Sequence, residues 1–215
     1  MIYYIIYAVI GYLIGSIPFG YIIVKLLKGI DIRTVGSGNI GATNVARVLG
    51  LKWGVLCFIL DADKGLLPTL AVLFIHPIIL GDNNINMTVG LPVGLGIIIG
   101  HLYPIYIRFQ GGKGVATSLG VFLALAFIPT IIAIVIWLIF FLSFRYVSLA
   151  SIIAAISLPI SFRLMVNLYP KFGESPIIIA CLFVAFLVVG RHIPNIKRLI
   201  KGTEPKVRLW GKNNK

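Results

Sequence analysis

The sequence predicts an all-α integral membrane protein of about seven transmembrane helices, with its N-terminus outside and its C-terminus cytoplasmic. Three observations carry this. The 215 residues are 59% hydrophobic and only 12% charged, whereas a typical soluble domain is about 25% charged. Mean hydropathy is +1.04, and apolar runs recur along the chain at or near the roughly 20-residue length that crosses a bilayer core. Finally, the basic residues gather in alternate loops, as the positive-inside rule requires. These runs leave no room for a soluble domain of ordinary size. We therefore read residues 1–215 as a single polytopic domain, with 201–215 as a basic cytoplasmic tail.

The apolar spans fall near 2–24, 53–75, 88–107, 114–128, 129–144, 147–162 and 175–190. The first has no basic residue ahead of it and no small-residue cleavage site, so it reads as a retained helix rather than a secretory signal. The stretch from Val115 to Phe144 is either one long helix or two short ones broken near Pro129, since an interior proline kinks a helix. Charge decides between them. With seven spans and an external N-terminus, 16 of the 19 Lys and Arg residues face the cytoplasm. Removing the break would send the basic tail outside, against the positive-inside rule. The net charge of +13 therefore reads as topology, not as affinity for nucleic acid. Cys57 and Cys181 lie inside apolar runs with no Cys-x-x-Cys or His-rich company, so neither a disulfide nor a metal site is expected.

Three polar clusters interrupt the hydrophobic chain, and this topology puts all of them at the cytoplasmic face. The first is Val35-Gly-Ser-Gly-Asn-Ile-Gly-Ala-Thr-Asn-Val-Ala-Arg47. It satisfies G-x-G-x-x-G without the strand and βαβ unit of a dinucleotide site. The physical content remains: Gly36 and Gly38 permit a tight turn that presents N–H groups to an anion. The segment from Ala42 starts a helix whose N-terminus favours phosphate. Ser37, Asn39, Thr43 and Asn44 add polar donors, and Arg47 offers a guanidinium fork. The second cluster, His101-Leu-Tyr-Pro leading to Phe109-Gln-Gly-Gly-Lys-Gly-Val-Ala-Thr117, fails the Walker pattern, because residue 107 is Ile and residue 114 is Gly. What survives is a glycine loop, Gly111, Gly112 and Gly114, around Lys113. The third is Arg191-His-Ile-Pro-Asn-Ile-Lys-Arg198, in which His192 is a candidate base or phosphate donor and Asn195 a polar partner. A fourth inside turn, Arg145-Tyr-Val-Ser148, adds Ser148.

Asp61, Asp63 and Lys64 lie within the second span. Asp61 and Lys64 are three apart and share a helix face, and charges at that depth are expected to pair or to line a polar cavity. His101 is expected to pack at a helix end and His76 to fall outside without a role in the site. From the residues alone, an anion transporter and a lipid phosphotransferase compete with an enzyme acting on a phosphate-bearing substrate. Glycine clusters confined to one interface, rather than to mid-membrane, favour the enzyme.

With those residues in place, the chain resembles the small bacterial acyl-phosphate:glycerol-3-phosphate acyltransferases of the PlsY type. The resemblance rests on Gly36-Ser-Gly-Asn-Ile-Gly-Ala-Thr-Asn44 with Arg47, Phe109-Gln-Gly-Gly-Lys-Gly-Val-Ala-Thr117, and Arg191-His-Ile-Pro-Asn-Ile-Lys-Arg-Leu199 followed by Gly-Thr-Glu204. Asp61-Ala-Asp-Lys-Gly65 also fits. It implies a seven-helix enzyme of the bacterial inner membrane, with its site at the cytoplasmic face. This enzyme would move an acyl group from acyl phosphate to the 1-hydroxyl of glycerol 3-phosphate, among membrane lipids and without coenzyme A, a metal or another cofactor. The implied catalytic set is Ser37, Lys113, His192 and Asn195. The implied substrate-binding set is Gly36, Gly38, Asn39, Thr43, Asn44, Arg47, Gly111, Gly112, Gly114 and Ser148. No His-x-x-x-x-Asp pair occurs: Gly81, Tyr106 and Lys197 follow the three histidines at that spacing. Direct transfer without an acyl-enzyme is expected, with His192 or the donor phosphate taking the proton.

The topology is checked by single cysteines labelled with a membrane-impermeant reagent. Those at Ser37, Gly112 and Asn195 should react from the cytoplasmic side and one at Asn84 from outside. Labelling of 84 and 112 from the same side would refute the alternation.

Overall fold

The computed structural model describes residues 2–80, 87–168 and 176–207. Asn84, residues 169–175 with Lys171, and residues 208–215 lie outside the described residues. Every regular element among the described residues is helical: α1 (Ile2–Gly15), α2 (Phe19–Lys28), α3 (Ala42–Leu49), α4 (Leu51–Leu80), α5 (Leu91–Leu102), α6 (Val115–Leu125), α7 (Phe127–Phe144), α8 (Val147–Leu168), α9 (Pro176–Arg191) and α10 (Ile193–Ile200). Among the described residues, four stretches are long and apolar enough to cross a bilayer alone: Ile2–Lys28, Met87–Ile107, Phe127–Phe144 and Val147–Leu168. The pair α9 and α10, bent by 57°, makes a fifth if counted as one span. At 11 residues, α6 is shorter.

The expected break in the long apolar run is present, but at Ala126 (φ −150°, ψ 62°) rather than at Pro129. Pro129 lies in the first turn of α7, where the backbone N–H it lacks would have no helical partner anyway. The first span is also interrupted, at Ser16–Pro18, where the Ser16 hydroxyl donates back to the Tyr12 carbonyl at 2.7 Å.

The chain forms two compact units, Met1–Phe127 with Ser175–Ala180, and Ile128–Glu174 with Cys181–Lys215. In the first, helices approach through glycines. Gly11 and Gly15 of α1 lie on the backbone of Val93 and Ile97, while Gly96 and Gly100 of α5 lie on Ala8 and Tyr12. The register rises together on both helices, so α1 and α5 run parallel. A methyl group on any of the four would collide with a facing carbonyl, which is the small-xxx-small logic of close helix contact in lipid. Helices α4 and α6 pack parallel, with Gly65 on Thr117 and Gly120 on Ala62, and both run antiparallel to α5, whose Gly94 faces Thr69 and Val121 and whose Gly90 faces Leu73 and Leu125. In the second unit, Trp137 of α7 donates to the Ser151 hydroxyl of α8 at 3.1 Å, and Ser161 of α8 donates to the Pro129 carbonyl at 3.3 Å.

Candidate active site

In the first unit, helix α2 ends at Gly29, left-handed at φ 70°. The lysines of its last turn hold carbonyls: Lys25 that of Gly29 at 3.0 Å, and Lys28 that of Val48 at 2.7 Å. Beyond it, the Asp31 carboxylate caps the 3-10 turn Ile32–Thr34 by accepting the Arg33 backbone N–H at 2.9 Å. The Arg33 guanidinium returns to the same carboxylate, Nη2 to Oδ2 at 2.6 Å. Its hydrogen bond lowers the Asp31 pKa below the ordinary carboxylate value and raises that of Arg33. Arg33 Nη1 also reaches the Ile107 carbonyl at 3.0 Å and Gln110 Oε1 at 3.3 Å, and the guanidinium lies over the Tyr21 ring at 5.3 Å. One arginine thus clasps the first polar cluster to the second.

Within the first cluster Asn44 is the organiser. Its buried amide donates to the carbonyls of Asn39 (2.9 Å), Val35 (3.1 Å) and Ile32 (3.4 Å). Its Oδ1 accepts the Ser37 N–H at 2.9 Å. Gly36 at φ 62° leaves room for this amide, which a Cβ there would strike. Asn39 accepts the Gly41 N–H at 2.9 Å. Asn44 thus builds the loop with its whole amide, and Asn39 with its Oδ1. What the loop presents outward is the exposed Ser37 and Arg47, with Thr43 half-buried at the start of α3.

The second cluster is built on His101. The Gly112 N–H donates to the His101 carbonyl at 3.0 Å. A Cβ on Gly112 would meet the His101 imidazole, and one on Gly111 the His101 and Leu102 carbonyls. These two glycines are required by close packing, and the Gly112 N–H is engaged within the protein rather than offered to an anion. Gly114, at φ 83°, is the left-handed N-cap of α6. Lys113 lies half-buried between them.

Beneath both loops is a buried group of charges. Lys64 Nζ pairs with Asp61 Oδ1 at 2.8 Å, as the spacing predicted. It also donates to the Ile17 carbonyl, at the break in the first span, at 2.8 Å. His101 Nδ1 lies 3.5 Å from the same carboxylate oxygen, and the Cys57 thiol donates to Asp61 Oδ2 at 3.7 Å.

In the second unit, Glu204 is the hub. It is buried and accepts the Ser148 hydroxyl (2.7 Å) and the Asn195 amide (2.7 Å) on Oε1, and Arg198 Nε (2.7 Å) on Oε2. Burial pushes its pKa up, but these hydrogen bonds outweigh that and hold it below the ordinary value. His192, also buried, sets its ring with Nδ1 2.7 Å from the Val188 carbonyl. A carbonyl only accepts, so Nδ1 carries the proton and Nε2 is the basic nitrogen of the neutral ring. The structure thus brings Ser37, Thr43, Arg47 and Lys113 onto one clasped pair of loops and Ser148 and Asn195 into the Glu204 network, with His192 beside it through its main-chain carbonyl, which accepts the Asn195 N–H at 2.9 Å. Sequence reasoning missed Arg33, counted only as a topology charge. It quoted Glu204 within the resemblance but gave it no role in the site, although it is a lone acid amid the bases of a basic tail.

These features define a polytopic helical membrane protein whose loops concentrate cationic and hydroxyl groups. A family model described as glycerol-3-phosphate acyltransferase matches residues 5–202, and the chain belongs to that family. Among curated relatives named glycerol-3-phosphate acyltransferase, the one from Endomicrobium trichonymphae is 43% identical, covering 99% of this chain and 100% of its own. That from Aquifex aeolicus is 44% identical over 91% of this chain and 95% of its own. Among solved structures, the glycerol 3-phosphate form of PlsY (YgiH), an integral membrane glycerol 3-phosphate acyltransferase, matches with a TM-score of 0.81. It is 41% identical, over 95% of this chain and 96% of that one. The lysophosphatidic acid form matches at 0.78 and 40% identity, over 95% of both chains.

The Glu204 network makes a pH prediction. Because its folded pKa is lowered, the stability it contributes is complete above the unfolded value. That stability drains as pH falls below about 4.3 and is lost beneath the folded pKa. Melting curves in detergent between pH 7 and 3.5 should show Glu204→Gln less stable than wild type at neutral pH, with the gap narrowing on acidification. A gap that stays constant with pH would remove Glu204 as the titrating hub.

Proposed function

We propose that this protein transfers a fatty acyl group from acyl phosphate to the 1-hydroxyl of glycerol 3-phosphate, giving lysophosphatidic acid and inorganic phosphate for phospholipid synthesis. The single observation that carries this is the match over 95% of the chain to a relative solved with the acceptor and with the product. The transporter and phosphotransferase readings give way to family membership. The whole chain acts as one membrane domain at the cytoplasmic face of a bacterial inner membrane. It has seven spans, an external N-terminus and a cytoplasmic basic tail resting on anionic lipid. Support for the alternation comes from α1 parallel to α5, and from α4 and α6 parallel to each other and antiparallel to α5.

The chemistry suits the side chains. Acyl phosphate is a mixed anhydride, already activated, so catalysis consists of holding two anions together and stabilising developing charge. Lys113 neutralises phosphate charge, while Arg47, Ser37 and Thr43 hold the second anion at the neighbouring loop. In the second unit Ser148 and Asn195 are oriented by Glu204, and His192, with its ring proton on Nδ1, is the candidate base. The hydroxyl oxygen attacks the acyl carbon, the C–O bond to phosphate breaks, and the proton passes to the departing phosphate or to His192. Coenzyme A has no part in the reaction.

Purified protein given acyl phosphate and labelled glycerol 3-phosphate, without coenzyme A, should form labelled lysophosphatidic acid. Lys113→Ala should cut kcat/KM at least tenfold, or roughly 1.4 kcal/mol of transition-state stabilisation. Product formed only when acyl-coenzyme A replaces acyl phosphate would refute the donor, and a folded Lys113→Ala protein of normal activity would refute the role of Lys113.

A further inference from the structure

We propose that His101 is a positioning residue for Lys113: its imidazole, held by Asp61, is the stop against which the glycine loop rests. This rests on the acyl-transfer reading for its kinetic consequence, but the geometry stands separately. His101 closes α5, is buried, and lies with Nδ1 3.5 Å from Asp61 Oδ1. That carboxylate is itself fixed by Lys64, which is fixed in turn by the Ile17 carbonyl. The far edge of the ring, Nε2, Cε1 and Cδ2, is what a Cβ on Gly112 would strike. The main chain of the same histidine takes the Gly112 N–H at 3.0 Å. Gly112 is thus held on two sides by one residue, and Lys113 follows it directly.

The consequence is geometric. A lysine carries a flexible four-carbon stem and locates a phosphate poorly unless its backbone is fixed. Here the backbone is fixed by ring contact, and the ring lies against Asp61 of an ion pair within α4 whose lysine also holds the Ile17 carbonyl at the break in the first span. The glycines at 111 and 112 are selected by the imidazole they must pass, and a side chain at 112 would lift Lys113 away from its phosphate. A displaced cation weakens capture of an anion, so the effect falls on the KM for acyl phosphate, the anion assigned to Lys113, rather than on that for glycerol 3-phosphate at Arg47. A loss of folded protein would instead lower the apparent kcat alone.

A double-mutant cycle between Gly112→Ala and His101→Asn tests this. Asparagine keeps a polar atom where Nδ1 faces Asp61, so the buried charges stay paired, but it lacks the ring edge that the new methyl group would meet. Gly112→Ala in the native background should raise the KM at least about tenfold. In the His101→Asn background the same change should cost less than about threefold, a strong coupling of neighbours. Hydrogen exchange of the 110–116 peptide gives an arm independent of activity. Gly112→Ala should speed exchange there in the native background, and His101→Asn should bring it back toward the wild-type rate. Equal penalties in both backgrounds, in KM and in exchange, would overturn the proposal. If wild-type enzyme makes no lysophosphatidic acid from acyl phosphate, the functional reading fails, while the exchange arm still decides whether His101 holds the loop.

Discussion

A lysine and an aspartate, both buried in one membrane helix, hold the first unit together. Lys64 and Asp61 meet at 2.8 Å, and each reaches out of α4 to a different place: Lys64 to the Ile17 carbonyl where the first span breaks, Asp61 to His101 at the end of α5. Charges in a low-dielectric interior are costly unless paired and hydrogen-bonded. The pairing here is also a means of placement, because it fixes two chain interruptions that would otherwise leave polar backbone unsatisfied. The glycine contacts of α1 with α5 and of α4 with α6 bring backbones close enough for those reaches to be short.

The loops depend on this frame. The glycine loop rests on His101, the first polar loop is tied to it by Arg33, and Asn44 shapes that loop from within. Flexible glycine-rich segments thereby become fixed ones, which a reaction of two small anions needs. With acyl phosphate as the proposed donor, little covalent chemistry is asked of the protein, so the precision of the loops would carry much of the catalytic task. In the second unit Glu204 does for Ser148 and Asn195 what Asp61 does for His101.

Much of this was legible in the chain, and the failures have physical causes. The helical membrane character was readable because hydropathy is a bulk property, although four or five of the seven expected spans are long and apolar enough among the described residues, and the ion pair was readable because three-residue spacing fixes a shared helix face. The break was expected from Pro129 yet falls at Ala126, since a proline in a first turn starts a helix as readily as it ends one. Asn44 and Gly112 were read as facing substrate because the sequence names a donor without naming its acceptor, and both face the protein's own carbonyls. Arg33 and Glu204 carry long-range hydrogen bonds, to residues 107 and 110 and to residue 148, which no local pattern encodes.

The claim that the buried pair supports the frame is tested most directly by thermal unfolding in detergent of Asp61→Asn, Lys64→Met and the double variant. Removing one partner of a buried pair strands the other charge and costs about 3–5 kcal/mol, whereas removing both avoids that penalty. Each single variant should therefore melt well below wild type, and the double variant should recover a substantial part of the loss. Single variants that melt with wild type, or a double variant that loses the sum of both, would contradict the account.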